Sequence, residues 1–184
     1  LPNENMDVGG KTLCILGAGF IGREIALRAN ALGMTVVGYD PYREAQEGFS
    51  RIERDEGALP ALLGASDFVV TSLPVTGQTR NIINARTLSM MKQSAFFINV
   101  ARGDIVDEDA LCAALNEDRL RGASLDVAKE EPLSANSPLW TAKNLFITPH
   151  RAAYGDQMRR RMSALIGRNL RHFVANEPLE DRVL

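Results

Sequence analysis

The chain has 184 residues, a formal net charge of −2, 45% hydrophobic and 24% charged residues, and 6% aromatics. That length suffices for one domain with its own core, and the composition is that of a globular protein. The near-neutral balance excludes a general attraction to nucleic acid or anionic membrane, and no apolar run approaches the roughly 18–20 residues a spanning helix needs.

The first five residues, Leu1-Pro2-Asn3-Glu4-Asn5, lack the charged start and apolar stretch of a signal peptide. Leu1 stands where an initiator Met would, so a piece of a longer chain is expected. Cys14 sits in a strand pattern and Cys112 in a helix pattern, which predicts two reduced core thiols and an intracellular, cytoplasmic origin.

Strand-length apolar runs alternate with helix-period segments. Residues 11–16 predict a first strand and 20–32 a helix stopped by Gly33. Thr35–Tyr39, β-branched and apolar, predicts a second strand. Residues 41–56 read as polar and irregular, and 59–63 as a short helix ended by Gly64. A third strand is expected over 67–72, a short helix over 85–91 and a fourth strand over 95–100. The acidic start Asp107-Glu108-Asp109 suits the positive end of a helix over 107–119. Strands over 123–127 and 144–148 follow, then a basic amphipathic helix over 155–175 whose arginines read as a solvated face. The alternation predicts an α/β fold: a doubly wound parallel sheet with helices on both faces, three layers αβα.

Gly17-Ala18-Gly19-Phe20-Ile21-Gly22 matches G-x-G-x-x-G between a predicted strand and a predicted helix, the context that makes the pattern meaningful. Gly17 permits the tight turn, Gly19 lets backbone amides approach a pyrophosphate, and Gly22 lets the helix pack close to the sheet. The anion then sits on a helix N-terminus. Asp40 ends the second strand, about 20 residues on, where a carboxylate accepts hydrogen bonds from the adenosine ribose hydroxyls. It would repel a 2′-phosphate, so the expected cofactor is NAD; Arg43, near in sequence, leaves NADP as the alternative. This is the Rossmann arrangement.

Further motifs follow the later predicted strands: Ser72-Leu73-Pro74-Val75-Thr76, Asn99-Val100-Ala101-Arg102-Gly103, Leu125-Asp126-Val127 with Glu131-Pro132, and Thr148-Pro149-His150. With the glycine loop and Tyr39-Asp40-Pro41, these resemble the cofactor domain of the D-isomer-specific 2-hydroxyacid dehydrogenases over residues 7–183. The resemblance implies an NAD-dependent oxidoreductase that interconverts a 2-oxo acid and a D-2-hydroxy acid. Arg102, Glu131 and His150 would be its catalytic residues. His150 is suited to give or take the hydroxyl proton, since an imidazole titrates near neutrality. Glu131 would hold the far imidazole nitrogen, and the planar Arg102 guanidinium would grip the substrate carboxylate. The resemblance further implies that Asp126 and the Val100 carbonyl, with Ala101 and Arg102 beside them, hold the nicotinamide. Leu73 and Pro74 would flank the adenine, and Phe20 and Ile21 the pyrophosphate. His150 and Ala152 would lie at the nicotinamide. No metal is implied. Asp126 could instead cap the loop that follows it. His172 reads as a surface residue, and Trp140 and Tyr154 as packing residues.

The chain departs from the family in two places. Members carry a substrate lobe of roughly a hundred residues ahead of the cofactor domain, whereas about ten residues precede the first strand here. These 184 residues are therefore expected to form a single NAD-binding domain that binds cofactor and turns over poorly alone, since a closed cleft requires both lobes. After His150 the family often has an apolar residue and glycines; here Arg151-Ala152-Ala153 follow, and Arg151 is either a charge that attracts acidic substrates or a solvent-facing side chain. A homodimer is the assembly implied. Two other readings stay open: an NAD-sensing corepressor-like binding protein, and a formate or phosphite dehydrogenase, with Glu131 against formate.

Overall fold

The computed structural model describes residues 7–181; the stretch 1–5 and residue 183 discussed above lie outside them. The chain divides into two compact units, Leu1–Pro149 and His150–Leu184.

In the first unit, strands β1 (Thr12–Leu16), β2 (Thr35–Tyr39), β3 (Arg51–Glu53), β4 (Phe68–Thr71), β5 (Phe96–Asn99), β6 (Gly122–Leu125) and β7 (Leu145–Ile147) form one sheet. Its order is β3-β2-β1-β4-β5-β6-β7, and every neighbouring pair is parallel. The order reverses between β1 and β4, the switch point at which open α/β sheets bind ligands. Strand β1 shows why the sheet is buried on both sides. Leu13 and Ile15 pack with Ala26, Ala29, Val36 and Val70, while Cys14 and Leu16 join the larger core of Leu62, Leu63, Leu88, Phe97, Leu111 and Leu115. A period of two sends successive side chains to opposite faces.

Helices α1 (Phe20–Ala31), α2 (Leu59–Ala65), α3 (Ala85–Met90) and α4 (Glu108–Asn116) flank the sheet. Their ends follow local chemistry. Gly33 takes a left-handed conformation after α1 (φ 78°), as expected of a helix stop. Asn84 and Thr87 form a reciprocal capping box on α3, and the Asp107 carboxylate accepts the Ala110 N–H on α4. The helix expected to reach residue 119 stops at Asn116, because Asp118 turns left-handed (φ 54°). The segment 41–56, expected to be irregular, contains β3. Arg51-Ile52-Glu53 is too short and too charged to read as a strand, but an edge strand needs one hydrogen-bonded neighbour and tolerates charge. Both cysteines are buried and unpaired, as expected.

The second unit carries α5 (Met158–Val174), inside the expected 155–175, with five arginines and no acid in its sequence. The tail folds back on it: the Asn169 amide pairs with the Glu180 backbone in both directions, at 2.8 and 3.2 Å. His172 lies at the surface, as expected, with its Nδ1 2.7 Å from the Pro178 carbonyl. Tyr154 and Trp140 are not packing residues: both are more than half exposed. Each has a polar use for its ring instead, Tyr154 under the Arg151 guanidinium and Trp140 donating Nε1–H to the Ser134 carbonyl. No helix among the described residues is long and apolar enough to cross a membrane.

Candidate functional site

The glycine loop lies between the carboxyl end of β1 and the start of α1. Gly17 has φ 105°, and a Cβ there would come within 2.9 Å of the Leu73 nitrogen. A Cβ on Gly22 would lie 2.1 Å from the Gly17 carbonyl oxygen, so helix and loop touch through that glycine. Gly19 differs: a Cβ there would meet no protein atom within 4 Å. Gly19 is also the N-cap of α1, and no side chain caps the first-turn amides. Orphan amides, a helix N-terminus and an open approach over Gly19 are what a pyrophosphate requires, so these residues fit a dinucleotide.

Three side chains set the loop. The Ala18 N–H donates to Asp40 Oδ2 at 2.8 Å, and the Tyr42 N–H to Asp40 Oδ1 at 2.9 Å. Ser72 Oγ donates to the Gly17 carbonyl at 2.7 Å, and Gln46 Nε2 to the Ala18 carbonyl at 3.2 Å. Asp40 is 7% exposed, and each of its oxygens accepts one of these amides. A carboxylate oxygen has capacity for a second donor, so ribose hydroxyls remain compatible with it. Burial, with the carboxylates of Glu56, Asp55 and Asp40, pushes the neighbouring Tyr39 phenol up, keeping it protonated. Phe20 and Ile21, expected to flank the pyrophosphate, are 51% and 57% exposed at the first turn of α1. Leu73 is buried and Pro74 exposed at the end of β4.

A second group gathers at the ends of β5 and β6. Val100 is half-buried and Ala101 buried, and Arg102 is extended, with Nη1 donating to the Ala101 carbonyl at 2.6 Å. Asn99 underlies all three: its Oδ1 accepts the Ala101 N–H at 3.0 Å and its Nδ2 donates to the Arg102 carbonyl at 2.9 Å. Gly103 then presses against the next loop, where a Cβ would lie 2.0 Å from the Ala128 carbonyl carbon. Glu131 belongs to that loop, and its Oε1 accepts the Ala128 N–H at 3.0 Å. The Arg102 and Glu131 loops therefore meet backbone to backbone. Asp126 is buried, accepts from the Thr148 hydroxyl, and donates its own N–H to the Asn99 carbonyl at 3.0 Å.

His150 and Ala152 belong to the second unit, which His150 opens with a left-handed backbone (φ 52°). A turn follows in which the Tyr154 N–H donates to the Arg151 carbonyl at 2.9 Å, and the Arg151 guanidinium carbon stands 4.8 Å over the Tyr154 ring.

Sequence reasoning missed Thr71 and Gln46, and it placed Ser72, Asn99 and Thr148 in motifs without giving them a role. Thr71, Ser72 and Asn99 carried a signal, being polar residues at the ends of apolar strand runs. Gln46 carried none.

The chain matches the model of the D-isomer specific 2-hydroxyacid dehydrogenase, NAD binding domain, over residues 2–152. It is 35% identical over 182 residues to a D-3-phosphoglycerate dehydrogenase of Methanocaldococcus jannaschii, covering 98% of this chain and 34% of that protein. It is 40% identical over 171 residues to a glyoxylate reductase of Thermococcus gammatolerans, covering 93% of this chain and 51% of that protein. The chain thus spans between a third and a half of the curated relatives it matches. A crystal structure of a D-isomer specific 2-hydroxyacid dehydrogenase from Xanthobacter autotrophicus Py2, in complex with NADPH and MES, superposes with a TM-score of 0.87 at 38% identity, covering 98% of this chain and 74% of that one. A glycine loop with open amides, an acid at the end of β2 and this family match converge: the chain belongs to the D-isomer-specific 2-hydroxyacid dehydrogenase family, as its NAD-binding domain.

Proposed function

We propose that this chain is the cofactor-holding part of an NAD(H)-dependent enzyme that interconverts a 2-oxo acid and a D-2-hydroxy acid. The observation that carries the reading is the backbone contact of Gly103 with Ala128, which sets Arg102 and Glu131 on adjoining loops at the strand ends. Arg102 binds the substrate carboxylate and polarises the 2-oxo group. His150 gives or takes the hydroxyl proton, with Glu131 as the carboxylate assigned to it. The dinucleotide, when bound, supplies or accepts the hydride. Gly17, Gly19, Phe20, Ile21 and Gly22 receive its pyrophosphate, Asp40 its adenosine ribose, and Leu73 and Pro74 its adenine. Val100, Ala101 and Asp126 hold the nicotinamide amide, with Ala152 at the ring.

The Asp40 carboxylate favours NAD over NADP by charge repulsion of a 2′-phosphate. The NADPH found in the Xanthobacter structure makes that preference a point for measurement. Arg151, ordered on Tyr154, adds a positive charge that draws acidic substrates. The opposite wall of the cleft belongs to a second lobe, for which the longer relatives have room. Two copies associate through their cofactor domains, in the cytoplasm.

The test is NADH oxidation by the full-length protein with glyoxylate, hydroxypyruvate, pyruvate and phosphohydroxypyruvate. Turnover of one or more is expected. NAD binding without turnover of any 2-oxo acid would favour the NAD-sensing binding protein instead.

A further inference from the structure

Thr71 and Asn99 are the last residues of β4 and β5 and face each other in register. Both are 0% exposed, a costly place for two polar side chains unless their hydrogen bonds are all made. Each of their buried polar atoms has a partner, and in one sense only. The Ala101 N–H can only donate, so the Asn99 atom facing it is the amide oxygen. The Arg102 carbonyl can only accept, so the atom facing it is the amide nitrogen. The same oxygen lies 2.8 Å from Thr71 Oγ1, which must therefore donate. The next nearest acceptor for that hydroxyl, the Ile98 carbonyl, is 3.5 Å away. The two backbone groups thus set the orientation of the Asn99 amide, Thr71 anchors its oxygen with a further bond, and the amide clamps both ends of the Ala101–Arg102 step. The Asn99 backbone carbonyl meanwhile holds the Asp126 N–H at 3.0 Å.

We propose that Thr71 and Asn99 are positioning residues: their buried pair holds Arg102 in its extended conformation and aims it at the carboxylate of the 2-oxo acid. The inference rests on the reading of Arg102 as the substrate-carboxylate group. Thr71 touches neither substrate nor Arg102 and acts through Asn99. Asp at position 99 would lose the donor to Arg102, and Leu would lose every bond.

The test uses Thr71→Val, which keeps the shape and removes the hydroxyl, and Thr71→Ser, which restores it. Amide hydrogen exchange read by NMR is expected to accelerate at least about tenfold at Ala101 in Thr71→Val, while Val70 and Ile98 stay protected. In the full-length protein, kcat/KM for the 2-oxo acid is expected to fall at least about tenfold, with the NADH Kd changed less than about threefold. Thr71→Ser should restore both within about threefold. A purely structural role would instead lower Tm and leave kcat/KM unchanged. Unaltered exchange at Ala101, or faster exchange with full kcat/KM, would overturn the proposal. Absence of 2-oxo acid turnover in the parent would count against the function proposed above, while the exchange measurement would still decide whether Thr71 orders this loop.

Discussion

Gly19→Ala and Gly22→Ala should fail in opposite ways, because the two glycines answer to different neighbours. At position 22 the added Cβ would stand 2.1 Å from the Gly17 oxygen, 3.1 Å from the Gly17 carbon and 3.2 Å from Ser72 Oγ. The loop must open by roughly 1 Å to reach ordinary contact. Such overpacking costs ~1–3 kcal/mol, and the gain in helix propensity from Gly to Ala, up to ~1 kcal/mol, offsets only part of it. A net loss of ~1–2 kcal/mol lowers Tm by roughly 2–8 °C in a chain of this size. At position 19 the Cβ meets no protein atom within 4 Å and the backbone is extended (φ −73°, ψ −163°), which any residue adopts. The weaker N-cap preference of Ala is offset by its stiffer unfolded chain, so Tm should move by less than about 2 °C. The same Cβ would stand between the amides and a pyrophosphate, and NADH affinity should fall at least about tenfold, ~1.4 kcal/mol. Ligand-free melting and calorimetry with NADH read the two effects separately. If Gly19→Ala binds NADH like the parent, or loses as much Tm as Gly22→Ala, the assignment of Gly19 to the ligand is wrong.

Asp40→Asn should lower the ratio of NAD to NADP affinity at least about tenfold in the same calorimetry; an unchanged ratio would remove charge repulsion as the basis of the preference. Burial raises the Asp67 carboxyl, but the Thr12 N–H at 3.0 Å and Lys92 Nζ at 2.9 Å outweigh it and hold it below its usual value. A depressed folded pKa stabilises above the unfolded value of 3.8 and loses that contribution as pH falls through the lower folded value. The stability deficit of Lys92→Met should therefore be full at pH 7 and shrink on acidification below 3.8; a deficit constant down to pH 2 would contradict this. Burial pushes the Cys14 thiol up to about 12, and burial with the Asp109 and Glu108 carboxylates raises Cys112. At pH 8 a disulfide reagent should leave both thiols of the native protein unlabelled while labelling both after unfolding, and fast labelling of native Cys14 would refute its burial. Arg151→Ala should raise KM for the 2-oxo acid at low salt, and no change there would leave Arg151 a surface charge.

Much of this protein was legible in its residues because the signals are local. The alternation Leu13-Cys14-Ile15-Leu16 specifies a strand buried on both faces, and Gly33 specifies the end of α1, whatever packs around them. The glycine loop carried its own turn, and the family motifs pointed to Arg102, Glu131 and His150 as candidate catalytic residues without any coordinates. Other features depend on which strands become neighbours. Strand β3 exists because β2 offers a free edge, and nothing within Arg51-Ile52-Glu53 announces it. Trp140 and Tyr154 read as packing residues because apolar rings usually are, yet their polar partners sit several residues away in folded turns. The contact of Gly103 with Ala128 and the bond of Thr71 to Asn99 join segments about 25 residues or more apart in the chain. Sequence alone pointed to six of the seven strands, the cofactor loop and the candidate reactive side chains. Only the tertiary structure decided what holds Arg102 and Glu131 in place, because a buried hydrogen bond between strands exists only once their register has been set.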